Sequence, residues 1–302
     1  MGAGHDHGAG ANRARLGTAL ALTGVVVVAQ AVGAVVTGSL ALLVDTAHML
    51  TDTVGLGMAL VASVLMTRPA TDRHTWGLRR AEVIAALAQA ALLLAVGGFA
   101  LVEGVRRLVT PTDVPSTSLL VFGVVGLVAN LVALAVLTGG RRSNLNMRAA
   151  YLEVANDALG SVAVIVSAVL IAAFGWVRAD SVAGLLIALL ILPRTLLLLR
   201  DATRVLLESV PPGLDLADVR RHILEVRHVV DVHDLHVTRV SSDLPVLTAH
   251  VTMQRACFES GHSGEVLREL QECVAEHFDV AIEHSTFQIE PEGHAGTEHA
   301  HH

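Results

Sequence analysis

LALLVDTAHMLTDTVGLGMALVASVLM, residues 40–66, is an apolar run interrupted by Asp45, His48 and Asp52. As a helix it exceeds the ~20 residues needed to cross ~30 Å of hydrocarbon. His48 and Asp52 stand four residues apart, so a helix presents them on one face, and Asp45 falls on the same stripe. A second apolar run carries a matching pair, Glu153 and Asp157, in YLEVANDALG (151–160). Two such helices packed together offer one nitrogen and three carboxylates to a single cation, a tetrahedral set inside a membrane. An ionisable group near the bilayer centre costs about 2.5–3.5 kcal/mol on insertion scales, so residues of this kind in facing positions point to a function. Helix-to-helix hydrogen bonding needs no excess of carboxylates, whereas this set carries surplus negative charge for a cation or protons to neutralise.

The composition agrees with a membrane protein: 53% of the 302 residues are hydrophobic, 16% are charged, and the mean hydropathy is +0.59. Apolar runs at Leu16–Val36, Leu40–Met66, Val83–Val109, Leu119–Thr138, Leu152–Phe174 and Val182–Leu199 predict six membrane-spanning helices. The first run lacks a small-residue cleavage site and reads as a span, not a removed signal peptide. Basic residues set the orientation. Arg13 and Arg15 precede the first run, Arg68, Arg73, Arg79 and Arg80 lie between the second and third, and Arg141, Arg142 and Arg148 between the fourth and fifth. The opposite links are poorer in Arg, so both termini are expected in the cytoplasm.

Beyond Arg200 the character changes, with seven Arg against eighteen acidic residues, or −11, while residues 1–200 carry +4. An acidic tail disfavours nucleic acid as a partner and favours cations. Cys257 and Cys273 form no CxxC pair, so no disulfide framework is indicated, and Cys257 reads as a surface thiol. The expected division is a disordered His-containing segment 1–14, a membrane domain 15–203, a cytosolic metal-binding α/β domain 204–291 and a disordered His-containing tail 292–302. Within the cytosolic domain, Asp215–His228 predicts a helix capped by Asp215, Val229–Val240 and Pro245–Thr252 a hairpin, Gly264–Phe278 a second helix and Glu283–Ile289 a last strand. That order gives helices on one face of a small sheet. His233 and His236 fall on the first strand, His250 on the second, His262 before the last helix and His284 on the last strand. Histidines on adjacent strands can converge as zinc requires, while His236 and Asp234 are expected to face away from His233.

SLALLVDTAHMLTD (39–52), RHTWGLRRAEVIAAL (73–87), GLVANLVAL (126–134), NLNMRAAYLEVANDALGS (144–161), LLESVPPGLDL (206–216) and VVDVHDLHV (229–237) occur in one order along the chain. Together they resemble the successive blocks of the cation diffusion facilitator transporters, bacterial zinc, cobalt and cadmium type, over about residues 15 to 291. The resemblance implies a six-helix membrane protein with a cytosolic ferredoxin- or metallochaperone-like α/β domain. It implies a homodimer in the cytoplasmic membrane exporting divalent metal in exchange for protons. His48, Asp52 and Asp157 match the family's membrane site; Glu153 stands where this branch usually has histidine. His233, His250 and His284 match cytoplasmic sites, with His262 a further candidate. Gln30 and Thr238 depart from a frequent glutamate and tryptophan.

Glu153 trades a nitrogen for a hard oxygen, which makes manganese, iron or cobalt more accessible beside zinc and cadmium. Asp45 is an exit ligand, a proton relay or the cap of its helix. Asn130 reads as an interhelical hydrogen bonder, and Asn156, about 100° from Asp157, as a residue that supports the ligands or packs. The expected function is a proton-coupled metal antiporter, not an enzyme, with no cofactor beyond the metal as substrate and regulatory ligand. The alternative is a membrane-anchored metal sensor or buffer that moves nothing. An ATP-driven pump lacks a GxxxxGK[ST] loop, and an organic-cation exporter would need aromatic walls that 3% aromatics do not supply.

Overall fold

The structure is a computed structural model that describes residues 6–138, 145–278 and 280–294. Six long helices come first: α1 (Asp6–Thr37), α2 (Leu40–Met66), α3 (Ala81–Val109), α4 (Ser116–Thr138), α5 (Leu145–Phe174) and α6 (Ala179–Leu206). Helices α2 to α6 are each long and apolar enough to cross a membrane, and α1 contributes the apolar stretch Ala21–Thr37. The expected ends need correction where helix and oil do not coincide. α1 starts at Asp6, within the segment expected to be disordered, α5 starts at Leu145 and α6 runs to Leu206. Hydropathy marks what lies in hydrocarbon, while Ala and Arg continue a helix past that edge. Residues 1–5 and 295–302, with most of the terminal histidines, lie outside the described residues.

The chain forms two compact units, residues 1–58 with 88–198, and residues 59–87 with 199–302. In the first, Leu40, Ala41 and Val44 of α2 pack with Leu93 and Ala100 of α3, Leu119 of α4, Val164 and Ala168 of α5 and Ala183, Ile187 and Ala188 of α6. The many alanines let helix backbones approach closely, as membrane bundles require. Leucines and valines such as Val35, Leu60, Val102, Leu159 and Leu190 remain exposed, as expected of helices solvated by lipid. Gly38 takes a left-handed φ of 66° between α1 and α2. The buried first turn of α2 is then satisfied from another helix: Asp180 of α6 accepts from Leu40 N (2.6 Å), Ala41 N (3.4 Å) and the Ser39 hydroxyl.

The second unit holds α7 (Leu216–Glu225), β1 (Val229–Ser241), β2 (Leu244–Met253), α8 (Arg255–Glu259), α9 (Ser263–Glu276) and β3 (His284–Pro291). The sheet order is β1-β2-β3, antiparallel between the first two and parallel between the last two. Val219 and Ile223 of α7, with Val266, Leu270 and Val274 of α9, meet Val232, Val237, Leu247, Ala249 and Val251 of the sheet. The expected order stands, with short α8 added. Asp215 caps α7 by accepting from Ala217 N at 2.9 Å. Cys257 is buried in this core, not a surface thiol. Cys273 is buried too, and that burial, with the charge of Glu225, pushes its thiol above the ordinary range.

The segment joining α2 to α3 belongs to the second unit. Trp76 meets His284 edge-on at 4.7 Å between ring centroids, Arg79 lies 3.6 Å from Asp243, and Arg80 pairs with Glu208 at 3.0 Å. Glu82, at the start of α3, accepts a hydrogen bond from the Ser242 hydroxyl at 2.8 Å instead of merely facing solvent. The Ser241 hydroxyl donates to Asp243, which with Arg79 nearby holds that carboxyl below its usual range.

Candidate metal centres

The first cluster lies in the helical unit. His48 Nε2 is 3.3 Å from Asp52 Oδ2 on α2, and Glu153 of α5 joins them so that one ligand atom from each lies within 4.8 Å of the others. Asp157, one turn after Glu153, is buried and close enough to Asp45, Asp52 and Glu153 to feel their charge, but falls outside that tight group. Its Oδ1 and His48 Nδ1 are buried without a hydrogen-bond partner, a costly condition that suits groups held for a ligand. A cavity of about 160 Å³ adjoins the cluster, lined by Asp45, His48, Asp52, Gln89, Asn156, Gly160 and Arg194 among others. Asn156 lines it as well, because the cavity follows the Asn156–Gly160 stripe of α5, next to the Glu153–Asp157 stripe, which fits a residue that supports the ligands.

Asp45 is buried and accepts from Gln30 Nε2 at 2.7 Å. A side chain at Gly160 would collide with Asp45 Oδ1, so this carboxylate rests against bare α5 backbone. It is not the cap of α2, since Ser39 and Asp180 fill that role. Asn130 donates to Ser161 Oγ at 3.4 Å, joining α4 to α5 as expected.

Arg194 was not singled out in the sequence. It comes from α6, just after Pro193, and its Nη1 lies 3.0 Å from Glu153 Oε2. The signal was present: an arginine inside an apolar run needs a carboxylate partner. With histidine neutral and the carboxylates ionised, His48, Asp52, Glu153, Asp157 and Arg194 sum to −2, not the −3 of the ligands alone.

The second cluster lies on the sheet. His233 of β1 and His250 of β2 are cross-strand partners with ring centroids 5.3 Å apart. Glu290 of β3, 2% exposed, places Oε1 3.1 Å from His250 Nδ1 and Oε2 3.6 Å from His233 Nε2. Sequence reasoning missed Glu290, because only the parallel pairing of β3 carries its side chain to the two histidines. A bulge between His233 and His236, with Asp234 at φ 49°, turns Asp234 toward the site. Its Oδ2 is 3.7 Å from His250 Nε2, and its Oδ1 is 3.0 Å from His236 Nε2, contrary to the expectation that it faces away.

His284 and His262 do not join this group within the chain. The register sets His284 opposite Val246, four residues from His250 along β2, or roughly 13 Å. His262 stands in the turn before α9, its Nδ1 2.7 Å from Ser260 Oγ.

The family model described as "Cation efflux transmembrane domain" matches residues 16–207. The chain belongs to the cation efflux family. A second model, "Cation efflux protein, cytoplasmic domain", matches residues 211–292 of this cation efflux protein. The metal cation efflux system protein CzcD of Cupriavidus metallidurans is 45% identical over 291 residues, covering 96% of this chain and 90% of that protein. The cadmium, cobalt and zinc/H(+)-K(+) antiporter of Bacillus subtilis is 36% identical over 294 residues, covering 96% and 93%. The zinc transporter ZitB of Escherichia coli is 36% identical over 304 residues, covering 96% and 95%. Among solved structures, the metal-bound C-terminal domain of CzcD is 39% identical, covering 26% of this chain and 99% of that domain, with a TM-score of 0.23. This cation efflux protein is a multi-pass membrane protein with a C-terminal α/β domain.

Proposed function

We propose that this chain is a proton-coupled antiporter that exports divalent metal, zinc foremost, from the cytoplasm across the cytoplasmic membrane. The observation that carries the reading is the convergence of His48, Asp52 and Glu153 ligand atoms within 4.8 Å, on helices long enough to span a bilayer. Asp157 completes the set as the fourth ligand. Imidazole binds metal in its neutral form and carboxylates bind it ionised, so capture releases protons and reprotonation from the outer side expels the metal. Asp45, buried beside the same cavity and held by Gln30, serves as the relay toward the outer end. The carboxylate-rich set keeps cobalt, cadmium, manganese and iron as further substrates.

On the cytosolic side, His233, His250 and Glu290 form a regulatory metal site, with Asp234 beside the His250 ring nitrogen that does not face Glu290. The α/β domain pairs two copies of the chain, a reading supported by its match to the cytoplasmic-domain model of the cation efflux proteins, which describes a dimerisation domain. A metal-by-metal uptake assay in proteoliposomes tests the substrate class. Zinc should compete with labelled metal while organic cations do not; binding without uptake of any metal would convert the protein into a membrane-anchored sensor or buffer.

A further inference from the structure

Glu153 already carries a cation. Arg194 reaches it from α6, a helix that supplies none of the four proposed ligands, and holds Oε2 at 3.0 Å while lining the same cavity as His48 and Asp52. Among the described residues, Glu153 is the carboxylate within ion-pair distance of Arg194. Guanidinium stays charged at any working pH, so the pair is permanent unless something displaces it. Taking Glu153 as the transport ligand, as proposed above, we infer that Arg194 is a built-in competitor of the substrate: it sets how tightly, and how reversibly, a divalent ion takes Glu153.

Two physical effects act in the same direction. A metal that claims both oxygens of Glu153 must break a charge-assisted hydrogen bond, and a metal that claims only Oε1 sits beside a fixed like charge. Both weaken capture. A carrier gains from that weakness, because an ion must bind well enough to enter and loosely enough to leave. When the metal departs, the guanidinium retakes Oε2 and keeps Glu153 from drawing the ion back. The resulting charge of −2 on the set is matched by one divalent ion, which favours that valence over single charges. Arg194 is thus a positioning and selectivity residue; it acts through Glu153 and need not touch the metal.

The test is zinc flux into proteoliposomes containing the full-length protein, with KM and kcat measured separately. Arg194→Gln should lower KM by at least about tenfold, the scale of removing one fixed like charge at close range, and should lower kcat as release slows. Arg194→Lys retains the charge without the planar fork and should lower KM by roughly threefold. In a Glu153→Gln background, where flux itself is expected to be lost, adding Arg194→Gln should change zinc affinity, read by equilibrium dialysis, far less than it does in the wild type, since the contested oxygen is no longer charged. An unchanged KM in Arg194→Gln overturns the inference; should that variant fail to assemble, an unchanged KM in Arg194→Lys does so. Absence of zinc flux in the wild type would instead overturn the transport reading, so the two failures are distinct.

Discussion

His48 Nε2 lies 3.3 Å from Asp52 Oδ2, one helical turn along α2 and inside an apolar span. In water such a pair contributes little, but here it meets Glu153 with ligand atoms within 4.8 Å, and Asp157 stands one turn beyond. Asp52→Ala and Asp157→Ala should each abolish metal flux while leaving helical content and elution volume unchanged, read by circular dichroism and size exclusion. Flux retained in either variant removes that residue from the ligand set.

Replacing Glu153 alone should be worse than replacing it with its partner. Glu153→His exchanges a hard oxygen for a borderline nitrogen but strands the Arg194 guanidinium beside the metal, so flux of every metal should fall. Glu153→His with Arg194→Gln should recover flux and shift preference toward zinc and cadmium over manganese. A selectivity profile identical to wild type in the double variant would show that Glu153 does not contact the substrate.

Asp180 is a stability residue. It is 1% exposed and accepts from Leu40 N, Ala41 N and the Ser39 hydroxyl, so Asp180→Ala leaves buried donors of α2 unsatisfied. The expected loss is about 2–4 kcal/mol. Thermal unfolding in detergent should show a lowered midpoint for this variant, and an unchanged midpoint would mean that α2 finds other acceptors.

In the cytosolic domain, Glu290→Gln removes the charge shared by His233 and His250. Metal affinity of that site should fall by at least about 10–100-fold, the range for losing a carboxylate that merely supports metal-bound histidines, since Glu290 is proposed as a ligand itself. Flux at saturating metal should persist, because the proposed transport ligands lie on α2 and α5. His284→Ala should leave the affinity of this site unchanged, since His284 packs on Trp76 instead.

Much of this was legible beforehand. The four-residue spacings in α2 and α5 placed each ligand pair on one helix face, and period-two patterning beyond residue 228 yielded the hairpin with both cross-strand histidines. What stayed hidden depends on contacts distant in sequence. Arg194 gains its meaning only when α6 packs beside α5, and Glu290 only when β3 pairs parallel to β2. Asp234 was misread for a local reason: a bulge in β1 breaks the alternation on which face assignment depends. Hydropathy placed the ends of α2 correctly but not the starts of α1 and α5 or either end of α6, where polar turns prolong the helix.

The central claim is that this chain couples metal movement to protons through the α2 and α5 cluster. It is tested most directly by zinc flux in proteoliposomes under an imposed pH gradient, with and without a protonophore. The account predicts zinc accumulation on the acidic side, collapse of that accumulation when the gradient is dissipated, and none with Asp52→Ala. Zinc movement that is indifferent to the gradient, or no movement by a folded wild-type protein, would contradict it.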